Sequence, residues 1–190
     1  MPLAAEMFDA EASAIVALGA NLPFRALAGS RLLAAALEAL AARGFVLQAA
    51  SGVWESPAWP PSDQPPYVNA AAVFSAKGWT PQTMLAALLE TERAFGRERR
   101  ARWAARTLDL DLVDFAGRRV QEEGLSLPHP RAHERAFVLA PLAEAAPAWR
   151  HPVLGRSAAA LLAQADRQGL SRLGPLTPQA GAIAKEAPSD

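Results

Sequence analysis

The sequence predicts an α+β fold of the ferredoxin-like kind, a βαββαβ plait. Its antiparallel sheet would carry helices packed on it and extra elements at the C-terminal end. Three observations predict it. Short apolar or alternating runs recur near residues 14–18, 45–55, 67–75 and 107–115, the signature of strands whose side chains alternate between faces. Two stretches with helical spacing, 25–43 and 78–96, follow the first and third of these runs. The 190 residues are 51% hydrophobic, enough for one domain with a real core.

The elements follow in order. Residues 1–12 read as a loose extension. The run 14–18 reads as a buried strand closed by Gly19, Ala20 and Asn21, where glycine and asparagine favour a turn. Over 25–43, Leu33, Leu37 and Leu40 form one stripe among alanines, the best helix formers, and Gly44 is placed as a C-terminal cap. A second strand is expected over 45–55. Residues 56–66 hold five prolines, which exclude a helix or a central strand. Alternation resumes over 67–75, with Tyr67, Asn69, Ala71 and Val73 on one face. Asn69 is out of character among strand formers. The helix over 78–96 has Thr80 as N-cap, Pro81 in its first turn, Met84, Leu88 and Phe95 on one stripe, and Gly96 as its stop. A turn at 116–117 and a short strand over 118–121 follow the fourth run. Residues 131–142 predict a helix or broken helix, 157–164 a short one, and 171–190 a loose tail. A single domain is expected over 13–165.

The chemistry concentrates in residues 93–115. From Thr107 to Phe115, Leu108, Leu110 and Leu112 face one way and Asp109 and Asp111 the other. Two strand rises separate the acids, roughly 6–7 Å between Cα atoms. Such a pair repels itself and suits a hard cation that relieves the repulsion. Six arginines lie between Arg93 and Arg106. Acids for metal beside arginines for anion is what a metal–phosphate substrate needs. An Asp-x-Asp strand is also compatible with a solvated sheet edge. Arginine is this chain's default cation, at 17 against 2 lysines, so the clustering is the informative part.

Composition removes other classes. Net charge is +0, so there is no general basic field for nucleic acid. There is no cysteine, hence no disulfide, thiolate metal site or cysteine nucleophile. No apolar run approaches the roughly 18 residues of a membrane span, and the first residues lack the basic-then-apolar order of a signal peptide. A cytoplasmic protein is expected, monomeric or weakly self-associating, without membrane or nucleic-acid partners.

Residues 102–113 also fit a family signature: basic, any, Gly/Ala, small, Arg, two residues, Asp, aliphatic, Asp, two aliphatics. Further segments agree in order: 17–22, Glu55-Ser56-Pro57, 63–71, Gly96-Arg97-Glu98-Arg99, 127–131 and Arg135-Ala136-Phe137. On these residues the chain resembles the 6-hydroxymethyl-7,8-dihydropterin pyrophosphokinase family of folate biosynthesis, over about 13–165. The resemblance implies transfer of pyrophosphate from ATP to the pterin hydroxymethyl group, with AMP released and two Mg2+ ions accompanying ATP. It implies Asp109 and Asp111 as metal ligands, and Arg97 and Arg106 as catalytic contacts to the phosphoryl groups in flight. Glu92, Arg99, Trp103, Leu112, His129 and Arg135 would serve the ATP side, with Arg99 and Trp103 on a closing loop. Tyr67 and Phe137 would stack on the pterin, Asn69 would read its edge, and Ser56, Pro57 and Trp59 would complete that side.

Some positions depart from the family pattern. Ala104-Ala105 replace a frequent Gly-Pro, and Pro130 a frequent Tyr. Leu89 stands where a Gln is usual, Ala58 where Pro is common, and Trp59 where a smaller apolar residue is usual. Two other readings of the same plait stay open here: a different two-metal nucleotide enzyme, and a non-catalytic ligand- or RNA-binding plait. Tyr67, Asn69 and Phe137 argue against the first; the Asp pair and zero net charge argue against the second.

Overall fold

The computed structural model describes residues 9–10, 12–58, 61–97 and 107–177. Within them the order is β1 (Ser13–Ala20), α1 (Gly29–Ala42), β2 (Leu47–Ala50), β3 (Val53–Ser56), β4 (Tyr67–Ser75) and α2 (Pro81–Ala94). Then come β5 (Asp109–Phe115), β6 (Val120–Glu122), β7 (Leu125–Leu127), a 3-10 turn at Ala132–Glu134, α3 (Ala136–Ala145), α4 (Ala158–Leu162) and β8 (Ser171–Gly174). The main sheet runs β5-β1-β4-β3-β8, with β2 also on β4, and its pairings are antiparallel. This is the expected α+β plait with one strand added at the edge.

Period-two alternation sorts the side chains. Val16 and Leu18 of β1, Ala72 and Phe74 of β4, and Leu110 and Leu112 of β5 face α1 and α2. There they are buried with Leu33, Leu37, Leu40, Met84 and Leu88. The other face sends Ile15, Ala71, Val73 and Val113 against Val138, Leu139 and Leu142 of α3, together with Trp149 and Leu161. Helix α2 starts as its sequence demands: Thr83 N–H donates to Thr80 Oγ1 (3.1 Å) and Thr80 N–H to Thr83 Oγ1 (2.9 Å). These satisfy donors that a helix start leaves unpaired.

The structure differs from expectation in four places. Gly19 lies inside β1, because ladders to β4 and β5 flank it on both sides. The strand expected over 45–55 is split at Ser51-Gly52. There Ser51 Oγ accepts the Ala71 N–H (2.9 Å) while the Ser51 N–H donates to the Ala71 carbonyl (2.9 Å). The return over 118–121 is β6, paired with β7 in a separate ribbon. Over 131–142 the broken form of the expected helix is adopted, with the break at Arg135, whose φ of −101° and ψ of 107° are extended. The tail expected from 171 begins as β8, paired with the otherwise open edge of β3.

Candidate active site

Helices α3 and α4 cover only part of their sheet face. Beyond them the strands present Ala17 and Gly19, Tyr67 and Asn69, and Asp109 and Asp111 into one cavity of about 580 Å³. That lies in the usual range for a small-molecule site, roughly 300–1,000 Å³. Register builds the floor. Gly19 pairs with Asn69 on one side and Asp109 on the other, and Ala17 pairs with Asp111. Gly19 keeps this floor low: a Cβ there would touch Asn69 Oδ1 at 3.6 Å and Asp109 Cβ at 3.9 Å.

One end of the cavity is charged. Arg97, just past α2, places Nη1 2.8 Å from Asp109 Oδ1 and also pairs with Glu92. Glu92 sits beneath the site, 2% exposed, and accepts the Leu110 N–H at 2.7 Å. Burial pushes its carboxyl up to about 7, against the Leu110 N–H and Arg97, while Asp109 and Asp111 add to the rise. Glu92 therefore ties the end of α2 to the start of β5 and holds Arg97 over the acid pair. His129 Nε2 is 3.9 Å and Arg135 Nη1 4.0 Å from Asp111 Oδ2. The His129 N–H donates to the Val113 carbonyl (2.8 Å), and its Nδ1 accepts the Arg131 N–H (3.2 Å). Burial first, and Arg135 second, lower the imidazole to about 4. It is thus neutral near pH 7. With Nδ1 accepting, the proton is assigned to Nε2, which can donate to an anionic oxygen.

The other end is aromatic and amide-bearing. Asn69, 5% exposed, donates from Nδ2 to Ser56 Oγ at 2.9 Å. Tyr67 Oη donates to Gln64 Oε1 at 3.5 Å, and Asn21 Nδ2 reaches both Gln64 Oε1 and the Pro65 carbonyl at 3.2 Å. These bonds tie the end of the proline-rich loop to the end of β1. Phe137, in the first turn of α3, lines the cavity with the Arg135 guanidinium 5.7 Å from its ring centre.

Ten expected site residues therefore line one cavity: Ser56, Pro57, Tyr67, Asn69, Arg97, Asp109, Asp111, His129, Arg135 and Phe137. Glu92 supports it from below. Leu112 does not join them. Its side chain is buried on the opposite sheet face with the α1 and α2 core, as alternation from Asp111 requires, so only its backbone is left for a ligand. Trp59, Arg99, Trp103 and Arg106 lie outside the described residues. Sequence reasoning missed Ala17, Gly19 and Gln64, which also line the cavity. Alternation along β1 carries a signal for the first two once the strand is extended past Leu18.

Residues 15–147 match the family model for 7,8-dihydro-6-hydroxymethylpterin-pyrophosphokinase (HPPK). The chain belongs to the HPPK family. It is 38% identical over 161 residues to the 2-amino-4-hydroxy-6-hydroxymethyldihydropteridine pyrophosphokinase of Methylorubrum extorquens, covering 84% of this chain and 98% of that one. It is 36% identical over 154 residues to the enzyme of the same name from a Synechocystis strain, covering 80% and 76%. A crystallised Plasmodium falciparum HPPK-DHPS double mutant with pterin and p-hydroxybenzoate superposes with a TM-score of 0.65 at 12% identity. The match covers 90% of this chain and 49% of that longer one, and at this identity it speaks for the HPPK fold alone.

The donor set of this HPPK chain suits a hard divalent ion. Among the described residues no group of three or more His, Cys, Asp or Glu could hold a metal alone. Asp109 and Asp111 instead offer two carboxylates on one strand face. Mg2+ is commonly held this way, by one or two carboxylates with substrate phosphates and water completing its shell.

Proposed function

We propose that the chain transfers pyrophosphate from ATP to the hydroxymethyl group of 6-hydroxymethyl-7,8-dihydropterin in folate biosynthesis, with Mg2+ as the divalent ion. The observation that carries this reading is the polarity of a single cavity. Acids and cations, Asp109, Asp111, Arg97, His129 and Arg135, gather at β5, while Tyr67 and Asn69 stand two strands away on β4 and Phe137 lies beside Arg135. That division suits a substrate pair of a polyphosphate and a flat heterocycle.

The β-phosphorus of ATP accepts the pterin hydroxyl oxygen, its bond to the oxygen bridging to the α-phosphorus breaks, and AMP leaves with that oxygen; the hydroxyl proton passes to solvent or a phosphate oxygen. Magnesium, two ions on this reading, when held at Asp109 and Asp111 would neutralise phosphate charge and help align the phosphorus. Arg97 and Arg106 stabilise charge on the group in flight, and Arg97, already beside Asp109, would stand next to an ion held there. His129 donates Nε2–H and Arg135 its guanidinium to phosphate oxygens. Glu92 keeps Arg97 and β5 in place, and Arg99, Trp103 and the backbone of Leu112 belong to the ATP side. Tyr67 and Phe137 stack on the pterin, and Asn69, fixed by Ser56, reads its edge beside Pro57 and Trp59. A buried edge discriminates well because an unmatched polar group there goes unpaired.

The reading includes a cytoplasmic site of action and a monomer or weak homo-oligomer. Among the described residues no helix is long and apolar enough to cross a membrane. Incubation with ATP, Mg2+ and the pterin, followed by nucleotide separation, tests the reading. AMP that forms only with pterin present is the expected result. Production of ADP, or AMP without pterin, would count against it.

A further inference from the structure

The family match ends at residue 147, yet β8, well beyond it, pairs with β3, the strand whose last residue, Ser56, lines the cavity. Strand β3 carries Ser56, the residue that holds Asn69, and pairs with β4 on one edge and β8 on the other. Arg172 of β8 lies opposite Trp54 of β3. Its guanidinium grips Glu144 of α3 with two bonds, Nη2 to Oε1 at 2.7 Å and Nε to Oε2 at 3.3 Å. The same carboxylate accepts the Trp54 indole N–H at 3.0 Å. The fit leaves no slack. A Cβ on Gly52 would stand 2.6 Å from both Arg172 Nη2 and the Gly174 carbonyl. Just before β8, Gly169 (φ +73°) lies against Pro57, where a Cβ would stand 3.0 Å from Cδ. Arg172 itself is exposed, and exposed ion pairs add little to stability. Its placement is what gives it consequence: its side chain holds the helix that bears Phe137, and its backbone pairs with the strand that bears Ser56.

We propose that β8 sets the pterin wall of the cavity, with Arg172 as a positioning residue acting through Glu144 and Trp54 on Ser56 and Asn69. This rests on the reading of that end as the pterin slot. Four-residue β3 is otherwise a sheet edge, and its side chains would hold the substrate edge less firmly without β8. Loss of contacts made equally in the ground and transition states raises the KM of the substrate concerned and leaves kcat unchanged.

The test uses the full chain and three variants, Arg172→Ala, Arg172→Lys and Trp54→Phe. Pterin affinity is read from quenching of pterin fluorescence, ATP affinity separately, and both again as KM. In Arg172→Ala the pterin Kd and KM rise about tenfold. The ATP KM, and kcat at saturating pterin, stay within about twofold. Trp54→Phe shifts the pterin Kd in the same direction, and Arg172→Lys recovers part of the loss through a single bond to Glu144. Arg172→Ala with wild-type pterin affinity overturns the proposal. So does a parallel fall in pterin and ATP affinity that tracks loss of folded protein. A wild-type chain that binds no pterin overturns the reading of the slot and this proposal with it, whereas pterin binding unchanged by Arg172→Ala overturns the proposal alone.

Discussion

The same three strands present two different surfaces on one face of the sheet. Toward one end, Ile15, Ala71, Val73 and Val113 are buried under α3, Trp149 and α4. One or two rows along, the positions of the same parity are Ala17, Gly19, Asn69, Asp109 and Asp111, and they floor a cavity. The β1–β4 ladder runs unbroken across the boundary, and β1–β5 pairing resumes beyond a register shift between Ile15 and Val16, so the fold alone does not make the site. What changes is side-chain chemistry: large apolar groups recruit the helix, and small or charged groups leave the face open. Helix α3 marks the border, with Val138, Leu139 and Leu142 serving the covered half and Phe137 the open one. Stability and chemistry should therefore separate along this line.

The sharpest break is at the acid pair. Asp111→Ala should lower turnover at least about 10³-fold, the scale of losing a centre that stabilises developing charge. Pterin affinity should hold within a small factor, because Tyr67 and Asn69 stand on β4, two strands from Asp111. Melting temperature should hold or rise, since a like-charged neighbour of Asp109 is gone. Turnover at the wild-type rate would remove Asp111 from the metal seat. The converse variant is Leu139→Ala, at a fully buried position under the covered half. It should cost about 2–5 kcal/mol of stability in urea titration and leave kcat intact wherever the protein stays folded. A fall in kcat without unfolding would show that the two halves are coupled.

Much of this division is legible in the chain, for physical reasons. Period two sets Asp109 with Asp111 and Asn69 with Tyr67 before any coordinates exist; that the two pairs share one sheet face comes from their common register on Gly19. Thr80 and Pro81 carry their own helix start. The illegible parts depend on distant partners. Glu92 reads as an ordinary last-turn carboxylate, and only its bond to the Leu110 N–H shows that it is buried beneath the site. Strand β8 has exposed side chains at its first three positions and no apolar pattern. It is a strand because β3 offers an unpaired edge and Glu144 an acceptor. The break at Ser51-Gly52 likewise follows from a hydrogen bond to β4 and the passage of Arg172. The resemblance puts Leu112 on the ATP side, although the alternation that exposes Asp111 turns its side chain into the core.

A smaller perturbation probes the floor between the two halves. Gly19 is inside a regular strand, and a methyl group there meets Asn69, Asp109 and Tyr67 at 3.6–4.0 Å, ordinary contact distances. Gly19→Ala should stabilise the fold by about 0.5 kcal/mol, as alanine costs less chain entropy than glycine in a strand. The same methyl raises the cavity floor, so substrate KM should rise while stability improves. Improved stability with unchanged KM would show that substrates do not rest on β1.

The last contrast, read as a change of stability with pH, lies at the covered end. Asp114 is buried and accepts both the Trp149 indole N–H (2.9 Å) and the Gly117 N–H (2.8 Å). Burial pushes its carboxyl above the ordinary range; the two donors oppose the shift without cancelling it. A carboxyl with a raised folded-state pKa binds its proton more tightly in the folded chain. Its contribution to stability is complete below the ordinary range, near about pH 4, and is lost as pH rises through the raised value. Asp114→Asn cannot titrate there, and its amide can accept from only one donor at a time. The variant should be less stable by about 1–3 kcal/mol, and its deficit against wild type should narrow as pH rises through that window. Urea titrations of both proteins at several pH values measure the deficit, and taking the difference cancels titrations common to both. A deficit that widens with pH would mean that the donors outweigh burial and that Asp114 is held as a charge.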